Sequence, residues 1–347
     1  MKRVWFGTLV LALAVAAPAQ ATFPGGNGRI AYTWSVGGEA FESGSNPRLV
    51  GVVSVRADGG GRRLVARGGS EPVYSPNGRR IAFLRAHHLW VARADGTAAR
   101  RIAPENWLVG GHEWSPRGTR LAFDRGFENS VRSALYTVAP DGSGLQRLLK
   151  APMPISLTSG AWSPDGRAVV YGQSTFGGSL ARVFRAGRVT ALARPAARPT
   201  WSRGGLIAYE TRVAGETTSQ VCIKRHAPGA LARCIAAADA SVSNPSWSPD
   251  GRRLMVAYTP SGQGQPAEIW TARPDGTVLT RTPGVGSASP IFSPNGRLLA
   301  YSLNRFAGPP GARLGYTDLF VQHLDGTGRR LVVRGGQAQT PDWQPRR

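Results

Sequence analysis

Two adjacent histidines, His87 and His88, and a second pair, His112 and Glu113, are the residues of this 347-residue chain whose types most suggest metal chemistry. Imidazole and carboxylate are ligands a divalent ion accepts, and a set of them around one ion would serve a polysaccharide lyase or a hydrolase. Their spacing follows no metal signature, because neither H-E-x-x-H nor C-x-x-C occurs. A surface or channel-lining role is the reading the spacing favours. Other chemistry is missing from the motifs as well: the chain has no G-x-S-x-G nucleophile elbow and no G-x-x-x-x-G-K-[ST] phosphate loop. The expectation is a protein without catalysis and without a cofactor.

A third grouping of catalytic residue types is WSPDGRAVVY, Trp162 to Tyr171, which sets a serine and an aspartate beside a tryptophan. The phrase returns as YSPNGRRIAF (74–83), WSPRGTRLAF (114–123), WSRGGLIAY (201–209), WSPDGRRLMVAY (247–258) and FSPNGRLLAY (292–301). Half copies stand at the two ends, GNGRIAY (26–32) and PDWQP (341–345). In S-P-D-G the proline presets the second turn position, Asp or Asn suits the third, and Gly takes the left-handed conformation that side chains resist. The copy WSRGG keeps the turn without Pro or Asp, a loss that a catalytic position would not tolerate. The phrase is therefore read as scaffold, and its glycine placement also separates it from the S-x-D-x-G-x-T-W box of sialidases.

The lead aromatics Tyr74, Trp114, Trp162, Trp201, Trp247, Phe292 and Trp343 stand 40, 48, 39, 46, 45 and 51 residues apart, the size of a four-stranded propeller blade. Each unit holds four strand-like segments. Strand A ends at the aromatic and B is the apolar run after the turn. Strand C is a segment such as LWVAR (89–93) or EIWTAR (268–273), and D follows an Asp-Gly turn, as in RRIA (100–103), QRLL (146–149) or RRLVV (329–333). No segment after the N-terminal leader sustains a helical period, so the fold class is all-β. Seven B, C, D sets begin at Ile30 and seven A strands end at Trp343. The N- and C-terminal strands must then share one blade, which closes a seven-bladed ring of antiparallel blades and removes open edges.

These repeats resemble those of the TolB-type WD40-like β-propellers, whose blade reads roughly P-x-W-S-P-D-G, an apolar strand, a second strand ending in D-G, then R-x-L. The resemblance covers essentially all of residues 22–347, read as a single domain. TolB itself has six blades and an added N-terminal α/β domain, for which this chain leaves no room. Similar propellers also precede the catalytic domain of prolyl oligopeptidase relatives. Here Arg347 follows directly on the closing strand, so the expectation is a propeller alone.

Strand order sorts the loops onto two faces. The A–B and C–D turns are short and alike on one face, while the B–C and D–A loops on the other vary in length and composition, the usual seat of binding in a scaffolded fold. Trp107, Phe127, Phe176 and Phe306 lie in those variable loops outside the repeat positions, as contact candidates or as packing for their own loops. On the repetitive face Arg29, Arg79, Arg120, Arg167, Arg252 and Arg297 follow the first turn, and Arg62, Arg101, Arg147, Arg281 and Arg330 the second. Such a ring would hold a polyanion, or would simply protect strand edges and solubility. The net charge of +23 is nearly all arginine, a bias that a GC-rich genome also produces.

Residues 1–21 read as a secretory signal: Lys2 and Arg3, an apolar run, and Ala19-Gln20-Ala21 as the cleavage site, with a retained membrane anchor as the alternative. No later segment is apolar for long enough to cross a bilayer. In an exported protein the two cysteines, Cys222 and Cys234, read as a cross-strand disulfide around a turn at Pro228-Gly229, the alternative being two small buried thiols. The functional expectation is a secreted or periplasmic monomeric binding module for a protein or peptide of the cell envelope, with no specific nucleic-acid partner. Two alternatives stand behind it: an anionic envelope polymer on the arginine face, and a metal-dependent lyase or hydrolase built on channel residues.

Overall fold

Between one Gly-bearing turn and the next the chain offers short alternating segments that suit strands and not helices. The structure, a computed structural model, describes residues 23–35, 49–126, 133–152, 154–175, 178–212, 218–261, 268–282, 287–307, 314–335 and 337–346. Blade 4, which carries the intact WSPDG phrase, shows the pattern: Ser156–Trp162, Ala168–Thr175, Gly178–Arg185 and Arg188–Ala193 pair antiparallel in chain order. Blades 2, 3, 5 and 6 are built the same way as separate four-stranded sheets.

Blade 1 joins the two ends of the chain. The C-terminal strand Gln337–Arg346 pairs antiparallel with Gly26–Ser35, with Ile30 opposite Trp343 and Ala31 opposite Asp342. Leu49–Val55 and Arg63–Arg67 complete the blade. A parallel contact, Thr317 with Gln337, links it to blade 7. The ring of seven four-stranded blades and its closing strand are as the repeat arithmetic required.

The core is not central but divided among the blade interfaces. One apolar cluster joins blades 2 and 3 through Leu84, Leu89, Trp114 and Phe123, and another joins blades 5 and 6 through Ile223, Trp247 and Val256. A lead aromatic in each of these and in four further clusters packs against the preceding blade. The outer strand of blade 2 is shorter than RRIA suggested. Its paired residues are Arg100 and Arg101, with the Ile102 N–H still donating to the Leu89 carbonyl at 2.9 Å, while the side chains of Ile102 and Ala103 are drawn into the core between blades 2 and 3.

Candidate functional site

On the repetitive face each serine of the phrase works as a turn clamp. Ser163 Oγ donates to Asp165 Oδ1 at 2.5 Å and accepts the Ala168 N–H at 2.9 Å. Ser75, Ser248 and Ser293 make the same pair of bonds to Asn77 and Arg80, Asp250 and Arg253, Asn295 and Leu298. Ser202 in WSRGG keeps only the second half, accepting from Leu206 N–H at 2.9 Å. The outer turns repeat the device, with Asp95, Asp141 and Asp325 accepting from Thr97, Ser143 and Thr327. Those hydrogen bonds hold these three carboxyls below the usual carboxylate range.

Several of the expected ring arginines are spent on the fold. Arg29 reaches the Ser54 hydroxyl at 2.9 Å and the Gly61 carbonyl, and Arg120 reaches Thr137 Oγ1 at 2.8 Å and the Gly144 carbonyl at 2.6 Å. Arg62 lies over the Trp34 ring at 3.9 Å and Arg281 over Trp270 at 4.4 Å, which attracts each cation to a ring face. Arg101 pairs with Glu105 at 3.2 Å. Arg79, Arg167, Arg252 and Arg297 are exposed.

Lead tryptophans also stitch blades together. The indole N–H of Trp114 donates to the Val73 carbonyl at 3.0 Å, that of Trp162 to Glu113 at 3.3 Å and that of Trp247 to Thr200 at 3.4 Å, in each case on the inner strand of the preceding blade.

At the other end of the inner strands, beside the variable loops, every blade carries a bulge. The pairing register slips between Ser70 and Val73, Val109 and His112, Ser159 and Trp162, Ala197 and Thr200, Ser243 and Ser246, and Ala288 and Ile291. In blade 1 the slip lies opposite Gln339 to Asp342. In blade 4 the residue three before the lead aromatic, Ser159, still pairs with Tyr171 and the slip follows it, whereas in the other six blades that residue sits in the bulge. Glu71, Arg198, Asn244 and Thr340 hold left-handed φ values there of 51, 46, 52 and 46°. Gly111, Ser159 and Ser289 occupy the corresponding positions of the other three blades. A register slip thus repeats around the channel mouth, left-handed in four blades, and the position three before the lead aromatic is acid, cation, amide, hydroxyl or glycine in turn.

Strand B anchors these bulges. Thr33 Oγ1 accepts the Glu71 N–H at 3.0 Å and meets Thr340 Oγ1 at 2.9 Å. Asp124 accepts the Gly111 N–H at 3.0 Å, and Glu210 accepts the Asn244 N–H at 2.6 Å while pairing with Arg198 at 3.1 Å. Acids crowd the blade 1–3 sector in a chain that is otherwise strongly basic. Burial, with Asp124 nearby, pushes the Glu71 carboxyl up to about 7. Burial likewise lifts Asp342 to about 7, against the pull of the Tyr74 N–H that it accepts at 2.6 Å. Glu113 is raised well above its ordinary value by burial and by Asp342.

Of the metal candidates, His112 and Glu113 are buried on the inner strand of blade 3. Desolvation drives His112 down to about 4, outweighing backbone hydrogen bonds at Ala82 and Glu71 that pull the other way. His87 and His88 stand at the tight B–C hairpin of blade 2, where His87 has a φ of 60°. The His88 ring bonds the Trp107 carbonyl through Nδ1 at 3.0 Å. Among the described residues no group of three or more His, Cys, Asp or Glu is placed to hold a metal.

Trp107 packs against Tyr136 at 4.4 Å and lies under Arg125 at 4.3 Å. These contacts fasten its loop, and the ring itself is half-buried. Phe127 and Phe176 lie outside the described residues. Phe306 is on strand B of blade 7 opposite Gly315, with its side chain outside what is described. Cys222 and Cys234 face each other on neighbouring strands of blade 5 and form the disulfide, with Cα atoms 4.0 Å apart. Glu71, Asp124, Arg198, Glu210 and Asp342 were not picked out from the sequence. Their signal was the proline two before the lead aromatic, as in Pro72, Pro199, Pro245, Pro290 and Pro341, since proline in a strand belongs at an edge or a bulge.

This geometry has parallels among known proteins. The β-propeller domain of the Trilobed protease from Pyrococcus furiosus, described as having an open velcro topology, matches 91% of this chain and 98% of its own with a TM-score of 0.63 at 14% identity. TolB from Acinetobacter baumannii matches 92% of this chain and 67% of its own with a TM-score of 0.57 at 17% identity. The chain carries a TolB-type propeller fold. Unlike the open propeller, it pairs its two terminal strands. No family model matches. In sequence, Tricorn protease homolog 1 of Streptomyces coelicolor is 26% identical over 285 residues, 76% of this chain. The chain spans 25% of that relative's length.

Proposed function

We propose that the protein is an extracytoplasmic, non-catalytic binding module that takes a protein or peptide segment at the channel mouth, on the face of the variable loops. The ring of bulges carries this reading: every blade slips its register beside the mouth, and the positions there bear different chemistry, as a surface that discriminates among partners requires. The disulfide of blade 5 supports an oxidising compartment, in keeping with the signal-like residues 1–21, which lie outside the described residues. Affinity capture from an envelope extract tests it. A partner retained by the wild type and by Arg167→Ala, but lost with Glu71→Ala or Asn244→Ala, supports the mouth. Capture that both mouth variants leave intact overturns it.

A second reading, an anionic polymer on the turn face, draws on Arg79, Arg167, Arg252 and Arg297, which remain exposed. It requires affinity that falls steeply with salt and with Arg167→Ala, and is indifferent to Asn244→Ala.

A further inference from the structure

Blade 5 departs from the turn face in one place. Blades 1, 2, 3, 6 and 7 join strand C to strand D through Asp-Gly, whereas blade 5 uses HAPGALA, residues 226–232, between Ser219–Arg225 and Arg233–Ile235. A groove of about 580 Å³ opens beneath this connection and reaches Pro274 and Asp275 on the corresponding turn of blade 6. Leu206, Ile223 and Leu231 supply its apolar wall. Leu231 is 89% exposed, more than any other large hydrophobic residue among those described. Arg225, which also reaches the Gly204 carbonyl at 3.4 Å, and Arg233 supply the charged lining, Lys224 being turned to the Leu192 carbonyl of blade 4 at 3.4 Å. The two arginines face a single acid, Asp275, which already accepts the Thr277 N–H at 2.9 Å. The disulfide between Cys222 and Cys234 pins the two strands from which the connection springs, so the groove is shaped before anything enters it.

Wall and lining together define what fits. A polyanion without apolar groups would answer the two arginines and leave Leu231 in water. An uncharged apolar segment would cover the leucine and strip water from cations it cannot pair. We propose that this groove is a second docking site, taking an acidic peptide segment of a protein partner that inserts one apolar anchor against Leu231 and Leu206 and sets carboxylates beside Arg225 and Arg233. It lies on the face opposite the channel mouth and stands or falls independently of the function proposed there.

The test uses the folded chain and three short fluorescein-labelled peptides read by anisotropy at physiological salt. One is Asp/Glu-rich with a central Leu-Phe pair, one replaces that pair with Ser-Ser, and one replaces the acids with Lys. The first binds, and the Ser-Ser and Lys peptides bind at least about tenfold more weakly, the worth of one buried apolar side chain or of the charge pairs. Leu231→Ser and Arg233→Glu, both at exposed positions, each weaken the first peptide by about tenfold. Arg100→Glu makes the same charge change on the outer strand of blade 2 and leaves binding unaltered. Equal binding of the Ser-Ser peptide, an equal loss in Arg100→Glu, or no effect of Leu231→Ser would reduce the attraction to the diffuse charge of the molecule and overturn the proposal. Absence of binding by the first peptide overturns it as well.

Discussion

The turn face and the channel mouth are two ends of the same inner strands, and they treat repetition in opposite ways. At the turns, one geometry comes with one set of side chains: a serine clamps an Asp or Asn and the backbone beyond it, blade after blade. At the mouth, the same register slip comes with Glu71, Gly111, Arg198, Asn244 and Thr340 in succession, left-handed at all of them but Gly111. Where residue and geometry repeat together, the geometry explains the residue. Where geometry repeats and the residue does not, folding leaves the choice open for recognition to make.

The largest effect expected compares a lead tryptophan whose indole bonds across the blade interface with one whose indole does not. Trp247 is fully buried and its indole reaches the Thr200 carbonyl, so Trp247→Ala should cost about 3–5 kcal/mol in urea or guanidinium unfolding. Trp201 finds no acceptor for its indole N–H, and Trp201→Ala should cost measurably less. Equal losses would mean that these rings act by volume alone.

The two ends also respond to pH with opposite signs. Asp95, Asp141, Asp165 and Asp325 on the turn face are held below their ordinary values, so the stability they contribute is complete above the unfolded pKa and is lost as pH falls through the folded one. Glu71, Glu113 and Asp342 near the mouth are raised. Between their ordinary values and about 7 the unfolded chain gives up protons that the fold retains, so stability falls as pH climbs through that window. His112, lowered to about 4, and His87 and His226, both also lowered by burial, work against this trend up to their ordinary value of 6.5, above which only the carboxyls act. The melting temperature should therefore drop between about pH 5 and pH 8, a range that brackets those values. Each carboxyl that stays protonated in the fold while it ionises in the unfolded chain costs about 1.4 kcal/mol for every tenfold fall in proton concentration. Asp342→Asn keeps an oxygen for the Tyr74 N–H and removes the charge, and should flatten the drop; an unchanged slope would remove Asp342 from the account.

A smaller effect compares an intact clamp with a degenerate one. Ser163→Ala removes two hydrogen bonds and should cost about 1–2 kcal/mol, whereas Ser202→Ala removes one and should cost about half of that. Equal costs in thermal unfolding would show that the serine–aspartate half of the clamp contributes nothing.

The same division governs what could be read from the sequence. Blade count, closure by Gly26–Ser35 and Gln337–Arg346, the S-P-D-G turns and the pairing of Cys222 with Cys234 all rest on local signals that recur or on a spacing that a turn enforces. The bulges were not legible because no residue type marks them: register slips are backbone events, and side chains as different as Glu71 and Asn244 tolerate them. Only the recurring proline hinted at the break. The roles of Arg29, Arg120 and Trp107 depend on which strand lies across from them, and spacing along the chain does not encode that.

The least expected effect on stability is at the mouth, and there the comparison is sharpest. Asn244 adopts a φ of 52° that glycine reaches without strain, so the conformational relief of Asn244→Gly offsets the added freedom of the unfolded chain to within about half a kcal/mol. The bond from its backbone N–H to Glu210 survives the change, because it owes nothing to the side chain. Unfolding should therefore be nearly indistinguishable from wild type while retention of the captured partner falls. A large loss of stability would mean that the amide side chain is scaffold after all, and that the mouth, like the turns, has its residues dictated by the fold.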